Sequence, residues 1–381
     1  MNSVLNKPTI AFLSVFPPYR GGISRFSEYL QAGLQKKNAP LQCFNYIKQY
    51  PSVLYPGTSQ LTKNLSNNKA SGVFHPFNPF RWKLAARDIL SSSSKFFLYS
   101  YWHPFFALGI RSVLNQIGAD SGIKRVALAH NIYPHEPFCF QKTLAKKVFS
   151  QSDVIITLSN ETCEDAKKLV PGKQVVKLFH PAYELSFPEK SSEVIREEHG
   201  FSSDDTILLF FGLVRKYKGL DLIIEALNRI DLKGYKIKPV IVGEFYIHKQ
   251  SILDRIDPGH LEMYTIVDRF VSNREMAEYF TMADALILPH KRATQSGVLA
   301  DAINFHLPVI TSALPGLTQY LIENKHGLFF KPGSSQHLKE TILEFLAQNN
   351  RDLYRYHLEE LKNQLSWDSF IDELMNVFQE I

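Results

Sequence analysis

The residues between Leu288 and Val309 (LPHKRATQSGVLADAINFHLPV) combine types and spacing that could bind a phosphate. Thr294–Gly297, four small or polar residues, lie where a polar loop gives way to a pattern of helical period. The free N–H groups of a helix's first turn and the positive end of its dipole attract anions, most often phosphate. Asp301 follows one turn later, where its carboxylate could face whatever the phosphate carries. The alternative is an ordinary crossover helix, capped by Thr294 or Ser296, with Asp301 merely solvated.

Strands on either side would hold this loop and helix in place. The stretch follows an apolar strand at Ala285–Leu288 and leads into a second strand at Pro308–Thr311. Strand, loop, helix and strand make one α/β crossover unit. The same alternation starts at Thr206, ends near Gly327–Phe330, and includes predicted strands at Pro239–Val242, Tyr264–Val267 and Phe270–Val271. The second half of the chain is therefore predicted to be an α/β domain with a parallel sheet.

A group of cations lies near the start of this domain. Arg215, Lys216 and Lys218 occupy the loop between a buried strand and an amphipathic helix, and Gly212 and Gly219 bracket them. Arginine can bind a diphosphate through two hydrogen bonds, and lysine can bind it as a point charge. The loop is not a P-loop, because the GxxxxGK[ST] pattern is missing. The sequence therefore predicts a diphosphate site that depends on two or three cations.

A glycine pair marks the corresponding place in the first half. The strand Thr9–Val15 runs into FPPYRGG, and Gly21 and Gly22 precede a helix whose apolar face begins at Phe26. Glycine lets the backbone approach a ligand, with the helix N-terminus behind it. The spacing is not GxGxxG, which argues against a dehydrogenase. Further strands in this half are predicted at Phe96–Tyr101, Arg125–Ala129, Val154–Leu158 and Val175–Phe179.

Histidines follow two of these strands. His103 lies in SYWHP, and His130, His135 and Glu136 lie in AHNIYPHEP. Ligands of an open parallel sheet bind beyond the carboxyl ends of its strands, where histidine can donate to a hydroxyl or exchange a proton with it near neutral pH. His130 is a candidate substrate contact, whereas His135 and Glu136 are interpreted as structural. The segment Pro51–Pro79 lacks periodicity and is interpreted as a partly ordered excursion where an acceptor could dock.

Composition and charge limit the number of domains and the classes of partner. The chain has 381 residues and is 45% hydrophobic, which is enough for two globular domains. Residues 1–182 hold 22 Lys and Arg against 8 Asp and Glu, a balance of +14, although the whole chain carries only +6. A basic half of this kind could bind a phosphorylated substrate, anionic lipid or nucleic acid, or its charges could simply be solvated. Nucleic acid is the least favoured of these partners, because no nucleic-acid recognition motif occurs. Scattered cysteines, no secretory signal and no membrane-length apolar run predict a cytoplasmic protein.

Five segments in correct order resemble the retaining glycosyltransferases of family four: FPPYRGGISRF, AHNIYPHE, FFGLVRKYKGLD, MADALILPH and ATQSGVLADAINFHLPVITS. The resemblance spans nearly the whole chain. It implies an α/β fold of the GT-B type, with two Rossmann-like domains whose parallel sheets face each other across a cleft. It also implies that residues 1–182 bind the acceptor, that residues 183–366 bind a nucleotide-sugar, and that residues 367–381 form a helix crossing back to the first domain.

The resemblance implies roles for single residues. Arg215 and Lys218 would hold the donor diphosphate, His130 would lie beside the transferred sugar, and Asp301 would accept from the ribose; these four are the candidate catalytic residues. Gly22 would approach from the first domain. The implied donor contacts are Gly21, Gly22, Gly212, Arg215, Lys218, Val271, Ser272, Thr294, Gln295, Ser296, Gly297, Val298 and Asp301, and the acceptor-side residues are Tyr19, Arg20 and His103.

One departure from the family pattern concerns the sugar. The family commonly carries two glutamates eight positions apart, and here these positions hold Ala293 and Asp301. Asp301 can still accept from ribose hydroxyls, but sugar contacts must come from Thr294, Gln295 or backbone groups. Family chemistry is thought to pass through an oxocarbenium-like state without an enzyme nucleophile, so the leaving diphosphate needs charge stabilisation above all. No DxD triplet occurs, so cations of the chain rather than a metal are expected to supply it.

These observations favour a retaining glycosyltransferase that uses a UDP- or GDP-sugar, with no further cofactor. Its expected acceptor is a glycan or a lipid-linked saccharide, and peripheral contact with an anionic membrane at the inner face is a further expectation. One alternative is a nucleotide-sugar epimerase, whose first domain should supply carboxylates for proton transfer. Another is a non-catalytic sugar-nucleotide or glycan-binding relative, which the alanine at position 293 makes plausible.

Overall fold

A computed structural model describes residues 9–50, 60–61, 70–134, 139–348 and 350–381. The chain divides into two compact units. Unit 1 comprises Met1–His180 together with Trp367–Ile381, and unit 2 comprises Pro181–Ser366. The first break in the chain therefore comes two residues before the predicted boundary.

Unit 1 is built on a parallel sheet. Its strands, in the part of the chain that the structure describes, are β1 (Ile10–Leu13), β2 (Leu41–Tyr46), β3 (Ser71–Phe74), β4 (Phe96–Tyr101), β5 (Lys124–Ala129), β6 (Val154–Thr157) and β7 (Gln174–Lys177). The helices between them are α1 (Gly22–Lys36), α2 (Pro79–Ser91), α3 (Ala107–Ile117), α4 (Gln141–Phe149) and α5 (Asn160–Leu169). The strand order is β3-β2-β1-β4-β5-β6-β7, which reverses between β1 and β4.

Unit 2 repeats this plan with a smaller parallel sheet. Its described strands are β8 (Thr206–Phe211), β9 (Ile237–Val242), β10 (Thr265–Val267), β11 (Ala285–Leu288), β12 (Val309–Ser312) and β13 (Gly327–Phe330). They are ordered β10-β9-β8-β11-β12-β13, so the reversal lies between β8 and β11. The helices are α6 (Ser192–Glu198), α7 (Leu220–Leu227), α8 (Gln250–Leu253), α9 (Asn273–Met282), α10 (Gly297–Asn304), α11 (Pro315–Thr318), α12 (Ser335–Gln348) and α13 (Arg351–Gln364).

The central strands are buried on both faces, which explains why they are apolar throughout. Every residue of β4 is buried, and so is every residue of β11. Parallel sheets covered by helices on both sides require such continuous apolar runs. The predicted strands of both halves consequently agree with the observed ones within two residues at either end, with one exception.

The exception is Phe270–Val271, which is not a strand. These residues lead into α9, and Ser272 caps that helix. The interpretation of Pro51–Pro79 as an excursion is also wrong in part, because β3 lies inside it and α2 begins at Pro79. Residues 51–59 and 62–69 of that segment lie outside the described residues. The strand β2 and the helix α2 are further elements that the sequence analysis does not predict.

The last helix, α14 (Trp367–Glu380), packs on α1 within unit 1. Its start at Trp367 is the predicted one. Ile371 lies against Gly33, where a Cβ would be 2.6 Å from the isoleucine Cγ1. Trp367 stacks on Tyr29 with ring centroids 5.4 Å apart and meets Phe26 edge-on. The apolar face of α14 therefore completes the layer that covers one side of the unit 1 sheet.

Candidate functional site

The candidate site of unit 2 lies where the strand order of its sheet reverses. β8 and β11 are neighbours in the sheet, and the chain proceeds outward from β8 to β9 and from β11 to β12. The loops after β8 and β11 therefore leave the same carboxyl edge next to each other, which is where open α/β sheets bind ligands. Both loops carry residues predicted to bind phosphate.

The loop after β8 is pressed against the loop after β9. Gly212 has a φ of +98°, and a Cβ at Gly243 would collide with the Gly212 carbonyl group, so both positions depend on glycine. The N–H of Tyr246 donates to the carbonyl oxygen of Val214 over 2.9 Å. Next along the chain, the guanidinium carbon of Arg215 lies 4.8 Å from the centre of the Tyr246 ring. This cation–π contact orients Arg215 at the edge of the sheet.

Lys218 is buried and lies over Gly212. A Cβ placed at Gly212 would be 2.9 Å from the Lys218 Nζ and 3.3 Å from the Cγ2 of Val298, which belongs to the first turn of α10. The ammonium group therefore lies beside the N-terminal turn of that helix. Burial, and then the positive charge of Arg215, lower the pKa of Lys218 to about 8. A bound anion would favour the charged form and offset the cost of burying it.

Several contacts tie the loop after β8 to the loop after β11. Gly219 has a φ of +73°, and a Cβ there would collide with the carbonyl group of Pro289. The N–H of Lys291 donates to the carbonyl oxygen of Tyr217 over 2.7 Å. The Nζ of Lys291 also pairs with the Oδ2 of Asp221 at 2.6 Å. The cations of one loop and the helix start of the other are therefore held in one geometry.

The start of α10 is as predicted, with Ser296 as its cap. The Oγ of Ser296 accepts from the N–H of Leu299 over 3.3 Å. Gly297 is the first helical residue, and a Cβ there would lie 3.7 Å from the ring of Tyr183. Asp301 is buried one turn later, so the alternative of a merely solvated carboxylate is wrong. The capping hydroxyl satisfies one N–H of the first turn, and the other N–H groups of that turn remain able to bind an anion.

A second close approach positions the residues just before this helix. Gly316, in α11, lies so near the backbone of Ala293 and Thr294 that a Cβ would collide with both. The Oγ of Ser312, at the end of β12, donates to the carbonyl oxygen of His290 over 2.8 Å. Ala293 and Thr294 are buried, and Gln295 is half-buried beside them. The loop is therefore shaped by backbone packing from its neighbours.

Val271 and Ser272, two of the implied donor contacts, immediately precede α9, and Ser272 is the N-cap of that helix. Val271 is buried, and the Ser272 hydroxyl accepts from the N–H of Glu275 over 3.2 Å. The Glu275 carboxylate accepts from the N–H of Ser272 and pairs with Arg269, which lowers the pKa of Glu275 to about 2. This capping box gives the Ser272 side chain a structural task.

In unit 1, the loop after β1 is anchored by Asn45. The Asn45 Oδ1 accepts from the N–H of Phe16 over 3.0 Å, and its Nδ2 donates to the carbonyl oxygen of the same residue over 3.3 Å. Tyr19 is buried, and the N–H of Arg20 donates to the carbonyl oxygen of Gln60 over 2.9 Å. These contacts hold the chain as it enters α1.

The predicted glycine pair begins α1 and leaves open space. Gly21 has a φ of +112° and stands at the N-cap, and Gly22 is the first helical residue. A Cβ at either position would meet no heavy atom within 4 Å. The conformation at Gly21 requires glycine, and the space beside both residues could admit a ligand.

His130 is buried directly after β5. Its N–H donates to the carbonyl oxygen of Tyr101 over 2.8 Å, and its ring meets that of Phe26 edge-on with centroids 4.9 Å apart. Burial, and then the neighbouring His180, lower the pKa of His130 to about 3. The imidazole therefore stays neutral at physiological pH, which disfavours the expected proton exchange near neutral pH. A neutral ring can still donate one hydrogen bond.

His103 caps a short 3₁₀ turn, where its Nδ1 accepts from the N–H of Phe105 over 3.1 Å. His135 and Glu136 lie outside the described residues. Tyr183, Glu244 and Tyr246 line the unit 2 site or the loops that shape it, and the sequence analysis does not select them. Glu244 lies two residues beyond the end of β9, and its place after a predicted strand could have marked it as a candidate.

Two further properties concern metals and membranes. Among the residues that the structure describes, no three His, Cys, Asp or Glu side chains come together as metal ligands. Within the same residues, no helix is long and apolar enough to cross a membrane.

Comparison with known proteins gives a family match within the second unit. Residues 191–362 match the model of the glycosyl transferases group 1 family. A putative teichuronic acid biosynthesis glycosyltransferase of Bacillus subtilis is 26% identical over 292 residues, which cover 73% of this chain and 72% of that protein.

Solved structures extend the likeness in fold to nearly the whole chain. Sucrose-phosphate synthase of Thermosynechococcus elongatus has a TM-score of 0.74 at 16% identity, and the match covers 98% of this chain and 99% of that one. HepE of Anabaena in complex with UDP has a TM-score of 0.72 at 12% identity and covers 98% and 100%. Residues 191–362 thus match the glycosyl transferases group 1 family, and the fold of the chain is the GT-B fold of the similar glycosyltransferase structures.

Proposed function

We propose that the chain transfers a sugar, with retention of anomeric configuration, from a UDP- or GDP-sugar to a glycan or lipid-linked acceptor. The observation that carries this proposal is the position of the Lys218 ammonium, over Gly212 and beside the first turn of α10. A buried cation at a helix N-terminus, with Arg215 in the same loop as that cation, suits the diphosphate of such a donor.

Charge stabilisation of the leaving group would be the main catalytic contribution of unit 2. As the glycosidic bond breaks, negative charge accumulates on the departing diphosphate. Lys218, Arg215 and the free N–H groups of α10 would already be oriented toward it, so little reorganisation accompanies the step. These groups make a metal ion unnecessary in this proposal. Asp301 would accept hydrogen bonds from the ribose hydroxyls, and Thr294, Gln295 and the loop backbone would bind the sugar.

The acceptor side would be supplied by unit 1. His130 would act as a neutral hydrogen-bond donor to a sugar hydroxyl, since its lowered pKa keeps it uncharged. Gly21 and Gly22 leave space for a ligand, and Tyr19, Arg20 and His103 remain candidates for acceptor contact. Arg20 and Tyr19 are anchored through their backbone, which would orient their side chains.

Similar proteins support the choice of donor and acceptor class. The HepE structure contains UDP, and the relative from Bacillus subtilis is described as acting in teichuronic acid biosynthesis. The first favours a uridine donor, and the second favours a polysaccharide product for this chain. The alanine at position 293 favours a second candidate, a relative that binds nucleotide-sugar without turnover, because a carboxylate common in the family is absent there.

A thermal-shift screen against UDP, GDP, ADP and CMP, with and without EDTA, tests the donor site. A ligand present at one hundred times its dissociation constant should add about 2.7 kcal/mol to the free energy of unfolding. One nucleoside diphosphate should stabilise the protein, equally with and without EDTA. No stabilisation by any nucleotide would refute the site, and an EDTA-sensitive shift would refute its independence of metal.

Incubation with the matching nucleotide-sugar then separates the candidates. Transfer to an added glycan, or slow hydrolysis of the donor, supports the proposed enzyme. An epimerised nucleotide-sugar would point to the epimerase alternative. Binding without any turnover would point to the non-catalytic one.

A further inference from the structure

Three neighbouring helices of unit 1 begin with large apolar side chains that face water. Phe80, in the first turn of α2, is 79% exposed, Leu108 at the start of α3 is 55% exposed, and Phe140 just before α4 is 81% exposed. Phe77, which precedes α2, is 44% exposed. Single exposed apolar residues are common, but four large ones at the starts of three adjacent helices form a pattern that points to a binding surface.

Topology brings these four side chains to one edge. The strands before α2, α3 and α4 are parallel, so each helix begins at the carboxyl edge of the sheet. α2 packs against α3, and α3 packs against α4. The rings of Phe77 and Phe105 lie 4.6 Å apart and link the starts of α2 and α3. We call the row formed by Phe77, Phe80, Leu108 and Phe140 the apolar edge.

Cations lie on the helices that carry the apolar edge. Arg81 and Lys83 lie on α2, and Arg111 lies on α3. A cavity of about 730 Å³ lies along α4 and α5, with Tyr133 at its end nearest the sheet edge. The cavity is lined by Lys142, Lys146, Lys147 and Lys168, and Asp165 is the acid among its lining residues. Lys142 lies in the first turn of α4, next to Phe140, whereas Lys146, Lys147 and Lys168 lie in the last turns of α4 and α5. Positive charge thus extends from the apolar edge along these two helices.

We propose that the apolar edge and the lysines of α4 and α5 dock unit 1 onto the surface of an anionic bilayer. Phenylalanine and leucine side chains are stabilised in the region between headgroups and acyl chains, and lysines are attracted to anionic headgroups. The charge complementarity selects an anionic surface. The protruding rings select a bilayer over a soluble polyanion, which would leave them in water.

Docking at this edge is consistent with the lipid-linked acceptor proposed above. His103 and His130 follow β4 and β5, so they belong to the same carboxyl edge as the exposed rings. An acceptor held in the membrane by a lipid would meet unit 1 at that edge. This inference deepens the proposed function, but bilayer binding can be measured without any nucleotide-sugar, so either could fail alone.

The test is co-sedimentation of the full chain with vesicles of phosphatidylcholine alone or mixed equally with phosphatidylglycerol. We expect binding to the mixed vesicles, and at least tenfold weaker binding to the neutral ones. The double variant Phe80→Ser/Phe140→Ser should bind the mixed vesicles at least tenfold more weakly. Lys142→Ser/Lys146→Ser should lose about fivefold per lysine and become less sensitive to salt.

A matched control comes from unit 2. Tyr235 and Ile322 are 51% and 57% exposed, so Tyr235→Ser/Ile322→Ser removes two exposed large side chains elsewhere. This control should bind like the wild type. Tryptophan fluorescence shows which part of the protein contacts the lipid. The fluorescence of a tryptophan introduced by Phe140→Trp should be quenched by lipids labelled near the headgroup, and that of one introduced by Tyr235→Trp should not.

Three results would overturn the proposal. The first is no binding of the wild-type chain to anionic vesicles at low ionic strength. The second is equal loss of binding in the control and in the apolar-edge variant. The third is binding to soluble polyphosphate or polyanionic glycan that is as tight as binding to vesicles and indifferent to the phenylalanine substitutions.

Discussion

The carboxyl edges of the two sheets share a topology but differ in how they are built. In unit 2, Gly219, Gly243 and Gly316 bring backbone segments so close that a Cβ would collide with a neighbouring segment at each of them. In unit 1, a Cβ at Gly21 or Gly22 would meet nothing within 4 Å. The unit 2 edge is therefore fixed by backbone contact, whereas the unit 1 edge leaves room. The rigid edge of unit 2 suits a diphosphate, which is the same group in every donor. The open edge of unit 1 suits acceptors, whose shapes can differ.

The two edges also differ in the protonation state of a buried basic side chain. Lys218 in unit 2 has a pKa near 8 and remains mostly charged at neutral pH, although burying that charge destabilises the protein. His130 in unit 1 has a pKa near 3 and remains neutral. Charge is retained where an anion is expected and is absent where sugar hydroxyls are expected. The difference matches the proposed division of labour between donor and acceptor.

The largest effect should follow from filling one of the close approaches in unit 2. Gly219→Ala combines a φ of +73° with a collision against the Pro289 carbonyl group. Left-handed backbone costs about 1 kcal/mol for alanine, and a steric clash with backbone adds roughly 2–4 kcal/mol. We expect a loss of about 3–5 kcal/mol in the free energy of unfolding, measured by denaturant titration.

Gly200→Ala is the matched control for this change. Gly200 has a φ of +77°, and a Cβ there would meet nothing within 4 Å. It should lose only the backbone contribution, about 1 kcal/mol. Equal losses at the two positions would mean that the approach of Gly219 to Pro289 does not hold the loops together.

The second prediction separates binding from stability at Lys218. Lys218→Met removes a buried charge whose pKa is lowered to about 8. The ligand-free variant should be more stable, by up to about 3 kcal/mol, because the cost of burying the charge disappears. Its affinity for the nucleoside diphosphate should fall by about 1.5–3 kcal/mol, or roughly 10- to 150-fold. Calorimetry and thermal unfolding measure the two effects.

The exposed Lys216 in the same turn provides the control, and Lys216→Met should change neither quantity by much. The pH dependence has a defined sign. The folded pKa lies below the unfolded one, so the cost of the charge is complete below about pH 8 and fades at higher pH. A variant that loses stability and keeps nucleotide affinity would contradict the assignment of Lys218.

Some parts of this architecture could be read from the sequence because they depend on local patterns. Buried parallel strands such as β4 and β11 are continuous apolar runs, and the cap at Ser296 follows from residue type and position. The error at Phe270–Val271 has a local cause too. A valine beside an aromatic residue favours a strand, but the Ser272–Glu275 capping box already indicated a helix start.

Other parts depend on contacts between distant segments and could not be read in this way. The burial of Lys218 results from Gly212 and Val298, which lie far apart in sequence. The neutrality of His130 results from Phe26 and His180, and sequence reasoning gave that histidine an ordinary pKa. The tight approach of Gly219 to Pro289 is likewise visible only in the folded chain.

The third prediction concerns His130 in unit 1. His130→Gln should lower the rate of transfer by about 10- to 100-fold, because a hydrogen bond to the sugar is lost or misdirected. Nucleotide affinity should remain within twofold of the wild type, since the donor phosphates are assigned to unit 2. Unchanged transfer would remove His130 from the mechanism.

Stability at low pH gives a readout that is independent of activity. The folded protein keeps His130 neutral to about pH 3, while the unfolded chain takes up a proton near pH 6.5. The stability that this histidine contributes is therefore present above pH 6.5 and lost as the pH falls, by up to about 1.4 kcal/mol per pH unit. His130→Gln should flatten that dependence, and His326 in unit 2, whose pKa is about 4, should still contribute.

The smallest effects should come from two ion pairs, one in each unit. Lys291 and Asp221 are about two-thirds buried and join the loops of the donor site, whereas Lys37 and Asp372 join α1 to α14 at the surface. Asp221→Asn should weaken nucleotide binding by about fivefold, because Lys291 then no longer holds the loop after β11. Asp372→Asn should leave nucleotide binding unchanged and cost less than about 0.5 kcal/mol of stability, since exposed pairs are screened and α14 is held mainly by its apolar face. If both substitutions were silent, backbone packing alone would fix the donor loops, and the difference between the two edges would lie entirely in their glycines.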